Sequence, residues 1–190
     1  MFALTTVNFI SVNSFAQINN AEKNSLIYMY EEEKPARDVY LTLFEKYDIP
    51  VFKNISKSEQ YHMNLVNTLL EKFDITNTAK DNRGEFENND LQKLYNSLTE
   101  QGSKSLIDAL KTGATIEDVD IHDLNKYISK TKNSEITDIF KQLTCGSGNH
   151  MRAFTRQLKI KGIAYTPQYI TQNEYNKIIN EEHKRCFQQK

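Results

Sequence analysis

The sequence predicts an all-α fold: four long helices in two antiparallel hairpins, joined by a long crossover and followed by a short C-terminal extension. Three observations carry this. Only six Gly and three Pro occur in 190 residues, so breakers are scarce, and ten Tyr and ten Phe supply bulk where Trp is absent. Four segments carry an apolar seam stepping by three and four residues, which makes one stripe of a helix. The links within each pair of segments are short and the middle link is long, so each pair folds back as a hairpin.

The first helix is expected over 22–47, with the seam Leu26, Met29, Glu33, Ala36, Tyr40, Leu43 and Tyr47, and a stop at Asp48-Ile49-Pro50. Pro35 lies inside it, lacks an N–H, and should kink the helix or open a bulge. A short loop then leads to a second helix over 56–73, where Ser56-Lys57-Ser58-Glu59 reads as a capping box. Its seam is Ile55, Glu59, His62, Val66, Leu69 and Phe73. The connection 74–102 gathers Asn, Asp and Gly between 74 and 90, then a short amphipathic helix around Leu91, Leu94, Tyr95 and Leu98.

The third long helix is expected over 104–129, with Leu106, Leu110, Gly113, Glu117, Asp120, Leu124 and Tyr127 in phase. After a turn at Thr131–Ser134, the fourth covers 135–160 through Ile136, Phe140, Leu143, Ser147, His150, Phe154 and Leu158. Beyond Gly162, the stretch 163–170 with Pro167 should be extended, and Thr171-Gln172-Asn173-Glu174 should cap a tail helix. The chain thus divides into a 1–20 leader or tail, a helical domain over 21–161 and an extension over 162–190.

Net charge is −1, from 24 basic and 25 acidic residues, with no basic stripe for nucleic acid and no acidic block. No apolar run is long enough to span a membrane. Two cysteines, Cys145 and Cys186, are too few for a disulfide framework or a Cys-type zinc site, and whether they pair is open. Residues 1–16 hold no Lys, Arg, Asp or Glu, and Ser14-Phe15-Ala16 offers small residues where a signal peptidase reads. A positively charged start is missing. An exported or periplasmic location and a cytoplasmic one therefore both stand, the latter with a disordered, mildly apolar tail.

The seams are interrupted near one level by polar groups. Glu33, Glu59, His62, Glu117, Asp120 and His150 are metal-ligand types on stripes that should face the core. A charge buried there without a partner is costly. Carboxylates and imidazoles converging from four helices are how a bundle holds a pair of metal ions. Glu59 and His62 sit at i and i+3, on one face of a helix. Glu117 and Asp120 share that spacing and repel each other unless a cation lies between them. Bland explanations compete for each. Glu59 is also the capping-box partner of Ser56, and Arg37 is placed to pair with Glu33. Asp118, His122 and Asp123 suggest a solvated face around Glu117, and His150 resembles a satisfied core histidine. In the Glu31-Glu32-Glu33 run, only Glu33 keeps the seam's phase.

The motifs carry a resemblance. Glu33 with Ala36 and Tyr40 resembles the first-helix motif of rubrerythrins, and the Glu59/His62 pair is similar to their second-helix Glu-x-x-His. Glu117 and Asp120 resemble their third-helix Glu-x-x-Glu, and His150 matches their fourth-helix histidine. The chain more closely resembles an uncharacterised ferritin-like family, domain of unknown function 2202. The shared stretches are EEEKPARDVYLTLFEKYDIPVFKNISKSEQYHM, GSKSLIDALKTGATIEDVDIHDL, GNHMRAF and the YTPQYIT tail, within residues 25–172. The resemblance implies a ferritin-like four-helix bundle and a di-metal site. Ser147 stands where rubrerythrins carry a fourth-helix Glu, so a bridging carboxylate is missing.

Hard oxygen ligands with imidazole suit iron or manganese, and four carboxylates would neutralise two divalent ions. By analogy with the family, the chemistry would be reduction of peroxide or oxygen, with Tyr40 and Tyr61 as supporting donors. Non-catalytic iron handling and a metal-free helical scaffold or interaction domain are the rivals. The expected partners are metal ions, not nucleic acid, and a homo-oligomer is compatible with the sequence.

Overall fold

The computed structural model describes residues 18–186, so the signal-peptide expectation for residues 1–16 lies outside the described residues. Among them the protein is all-helical, with no strand: α1 Asn20–Tyr47, α2 Pro50–Lys72, α3 Asn89–Gly102, α4 Leu106–Lys130, α5 Ser134–Ile160 and α6 Gln172–Asn180. The four long helices expected from the seams are α1, α2, α4 and α5. No helix among the described residues is long and apolar enough to cross a membrane.

A capping box opens α1: Asn19 and Glu22 each accept the other's backbone N–H at 3.0 Å. The helix runs unbroken through Pro35. It stops at Asp48, whose left-handed φ of 51° turns its N–H onto the Phe44 carbonyl at 2.8 Å.

The second helix begins at Pro50, not near Ser56 as the sequence suggested. Proline suits a first helical position, because no N–H is needed there and its φ is already helical. Pro50 therefore starts α2 as well as ending α1. Ser56 is a buried mid-helix residue whose hydroxyl donates to the Lys53 carbonyl at 3.0 Å, so the capping box does not form. The added turns also level the polar residues. Glu33 stands about 21 Å from the end of α1, and His62 about 18 Å from the start of α2, at 1.5 Å per residue.

The α1–α2 and α4–α5 hairpins pack through α1 on α4 and α2 on α5, while α3 lies against α1 and α4. The interior has two apolar clusters. One holds Val39, Leu43, Phe52, Leu110, Phe154 and Leu158. The other holds Leu26, Met29, Val66, Leu124, Phe140 and Leu143. On each long helix the polar seam residues fall between the two, forming a buried belt.

Buried charges fasten the outer segments to this frame. The Lys34 ammonium is 2.7 Å from the Asn82 carbonyl, 2.9 Å from that of Glu85 and 3.0 Å from Asp38, which ties the crossover to α1. Asp118 is fully buried, not part of a solvated face. It accepts from the Tyr165 hydroxyl at 2.9 Å and from the backbone N–H groups of Gln168, Tyr169 and Ile170. The extended stretch after Gly162 is held there. The two cysteines form a disulfide that joins α5 to residue 186, 41 positions on.

Candidate metal centre

Each long helix contributes to the belt. Glu33 comes from α1, Glu59 and His62 from α2, Glu117 and Asp120 from α4, and Ser147 and His150 from α5. All seven residues are buried. Glu59 stands between the two imidazoles. Its Oε2 is 2.9 Å from His62 Nδ1, and its Oε1 is 2.9 Å from His150 Nδ1. Glu33 Oε2 closes one trio at 3.2 Å from His62 Nδ1, and Glu117 Oε2 closes the other at 3.4 Å from His150 Nδ1. The rings of His62 and His150 stack 5.4 Å apart. In each trio the ligand-type atoms lie within 4.8 Å of one another, placed as they would be around one ion.

The bland alternatives resolve locally. Glu59 does not cap Ser56. Arg37 bonds Asp38 at 2.7 Å and Gln60 at 2.6 Å, leaving Glu33 to His62. Tyr40 donates its hydroxyl to Glu117 Oε1 and lies 3.3 Å from the Gly113 carbonyl. Gly113 in turn makes room for Phe154, whose ring would lie 2.6 Å from an added Cβ and packs on Tyr40 at 5.3 Å. Tyr61, the other expected donor, is 43% exposed, and His122 and His183 are exposed as well.

Asp120 belongs to neither trio. Its Oδ2 accepts the Ser147 hydroxyl, which is also 3.0 Å from the Leu143 carbonyl. Glu33 is inward, but it is not the only buried acid of its run: Glu31 and Glu32 are 5% and 6% exposed. Glu31 faces the backbone of Glu87 and Asn88. Glu32 faces α4, near Asp120 and Asp123. Sequence reasoning missed both, and it also missed Ser58, which sits 2.9 Å from His150 Nε2. A run of three acids on a helix covered from several sides was the available signal.

The electrostatics of the belt follow from burial and from its own charges. Burial works against charge on His150, yet Glu59 and Glu117 hold its pKa up to about 10. His62 is also held well above its ordinary value by Glu33 and Glu59, against burial. Burial pushes Glu33 up to about 8, with His62 offsetting part of the rise. Burial raises Asp120 well above the usual range, and the charges of Glu33 and Glu117 add to it. Glu59 is held low despite burial, because both imidazoles favour its charge.

The donor set fits metal ions. Among the described residues, Glu33 Oε1 and Asp120 Oδ1 are buried without a hydrogen bond. Buried polar atoms are rarely left so. His150 Nδ1 and Glu59 Oε1 approach to 2.9 Å as an ion pair, and with Glu117 they are grouped closely enough to hold one ion instead.

A family model described as an uncharacterized protein domain, DUF2202, matches residues 22–182. The chain belongs to this family. The chain is 51% identical over 180 residues to the uncharacterized protein MJ0754 of Methanocaldococcus jannaschii, covering 94% of this chain and 97% of that protein. The crystal structure of hypothetical protein MJ0754 superposes with a TM-score of 0.87 at 48% identity, covering 96% of this chain and 100% of that one.

Proposed function

We propose that this DUF2202 protein is a ferritin-like four-helix bundle that binds two divalent transition-metal ions, iron or manganese, between its hairpins. One observation supports this most: Glu59 offers one oxygen to each trio, as a carboxylate shared by two ions would. Glu33 and His62 would complete one position, and Glu117 and His150 the other. Imidazole with carboxylate oxygen suits these metals.

Two bound ferrous ions would supply two electrons, which with two protons reduce one hydrogen peroxide to two waters. The chain's own part is positional. Tyr40 fixes Glu117, Ser58 sets the outer nitrogen of His150, and the apolar clusters pack against the belt on both sides. Ser147 supplies no second bridging carboxylate, which favours the reading as a metal handler over the catalytic one. The disulfide fits an oxidising compartment, in line with an exported or periplasmic location.

The test is elemental analysis of protein purified without chelators, then peroxide consumption by the ferrous-loaded protein. Metal with turnover supports the peroxide-reducing reading. Metal without turnover leaves the handler. Protein that neither carries nor takes up metal is a scaffold, and the proposal fails.

A further inference from the structure

A second set of carboxylates lies outside the paired centre. Between α1, α3 and α4 a cavity of about 210 Å³ runs inward from the surface, lined by Glu32, Leu98, Ser97, Thr115, Asp120 and Tyr169 among others. Two of its lining residues, Glu32 and Asp120, are buried acids, each 6% exposed. Among the described residues, neither oxygen of Glu32 has a hydrogen-bond partner, nor has Asp120 Oδ1. Two buried carboxyls lining one small cavity, with three of their four oxygens unbonded, are costly unless something positive joins them.

The neighbouring charges do not supply it. Asp120 and Asp123 act on Glu32 with the same sign. The cation whose field reaches it, Lys126, is bound to Asp123 at 3.1 Å. Among the described residues, Asp120 is bonded by the Ser147 hydroxyl, which is neutral and occupies the other oxygen.

We propose that Glu32 and Asp120 form an outer divalent-cation site on the wall of this cavity, separate from the two Glu–His trios. Its chemistry differs from theirs. All its donors are oxygen: two carboxylates, with the Ser97 and Thr115 hydroxyls along the wall. Hard cations such as Mg2+ and Mn2+ are held by one or two carboxylates and keep several waters, and the cavity has room for them. The paired centre adds an imidazole to each position and so prefers transition metals over Mg2+. Asp120 lies between the two sites, with Glu33, Glu117 and Glu59 acting on it from the inner side. A cation in the cavity would therefore sit one carboxylate away from the paired centre.

The test is Mn2+ binding to the full chain, read by the electron paramagnetic resonance of free Mn2+, with and without excess Mg2+. The parent should bind one Mn2+ that Mg2+ displaces, besides those that resist it. Glu32→Gln should lose the displaceable equivalent and keep the resistant ones. Glu59→Gln should do the reverse, so failure of the paired centre and failure of the outer site are read separately. A parent with no displaceable equivalent, or a Glu32→Gln protein that retains it, overturns the proposal. Ser97 is exposed on α3, so Ser97→Phe tests the same point without altering a buried charge. It should weaken the displaceable equivalent by about tenfold or more by crowding its waters, and unchanged binding overturns the proposal equally.

Discussion

Gly146 makes the room that His62 occupies: a Cβ at Gly146 would stand 2.8 Å from the ring's Cε1, closer than any real side chain tolerates. The glycine on α5 thus sets the position of an imidazole on α2. The ring cannot simply retreat, because it stacks on His150 and its Nδ1 faces Glu33 and Glu59. Gly146→Ala should therefore cost metal affinity by about tenfold or more at the Glu33/Glu59/His62 position, since small ligand displacements are felt strongly. Ala gains about 1 kcal/mol of helix propensity over Gly, so the fold should survive. Calorimetric titration with Co2+ checks this, and unchanged affinity would mean the ring has slack.

The sharing of Glu59 predicts unequal losses. Glu59→Gln removes the charge that serves both trios, so both positions should weaken together. His62→Ala removes one trio's nitrogen and should empty that position alone, leaving the Glu117/His150 position filled. Metal content after gel filtration distinguishes the two variants. Equal losses from both would show that the trios do not act as two positions.

Protons and metal should compete. In the metal-free protein His150 is pushed up to about 10 and Glu33 up to about 8, so both carry protons at neutral pH. Ligands must give those protons up, so loading should release protons and affinity should rise from pH 6 to pH 8. The stability of the metal-free fold should run the other way. Both pKa values are raised on folding, so their stabilisation is complete below the ordinary values, 6.5 for His and 4.5 for Glu. It is lost as pH rises through about 8 for Glu33 and about 10 for His150. Thermal melts in chelator across that range should fall with pH, and metal-loaded protein should fall less. Melts that rise with pH would contradict the assigned protonation.

The periodic seams made much of this legible. Spacing by three and four located Glu33, Glu59, His62, Glu117 and His150 on inward stripes, and each lies in the belt. What escaped was set by contacts distant in sequence. Glu32 and Glu31 are off the stripe, but α4 and the 82–88 stretch cover those faces of α1 as well. Asp118 read as a solvent-facing acid, because nothing local shows that residues 165–170 will fold over it. Pro50 carried two valid local meanings, helix stop and helix start, and both operate. Ser56 fitted a capping pattern that the earlier start made unnecessary.

Ser147 offers a test of whether Asp120 is a ligand of the paired centre. Its hydroxyl donates to Asp120 Oδ2, and Ser147 is fully buried. Ser147→Ala removes that donor and leaves both oxygens of a buried carboxyl unpaired, which should cost about 1–3 kcal/mol in the metal-free protein. The shape change is one oxygen atom, so packing should hold. If Asp120 stands apart from the trios, as its hydrogen bond indicates, occupancy of the two inner positions should stay as in the parent. Ser147→Glu should act differently, placing a carboxylate three residues before His150, where it can reach the trio of Glu59, Glu117 and His150. That variant should bind metal more tightly than the parent and melt lower without it, because another acid then shares the belt. Titration and melting of both variants at one pH check this. Lost occupancy in Ser147→Ala would make Asp120 a ligand after all, and unchanged affinity in Ser147→Glu would mean that the helix-five side already has all the charge it needs.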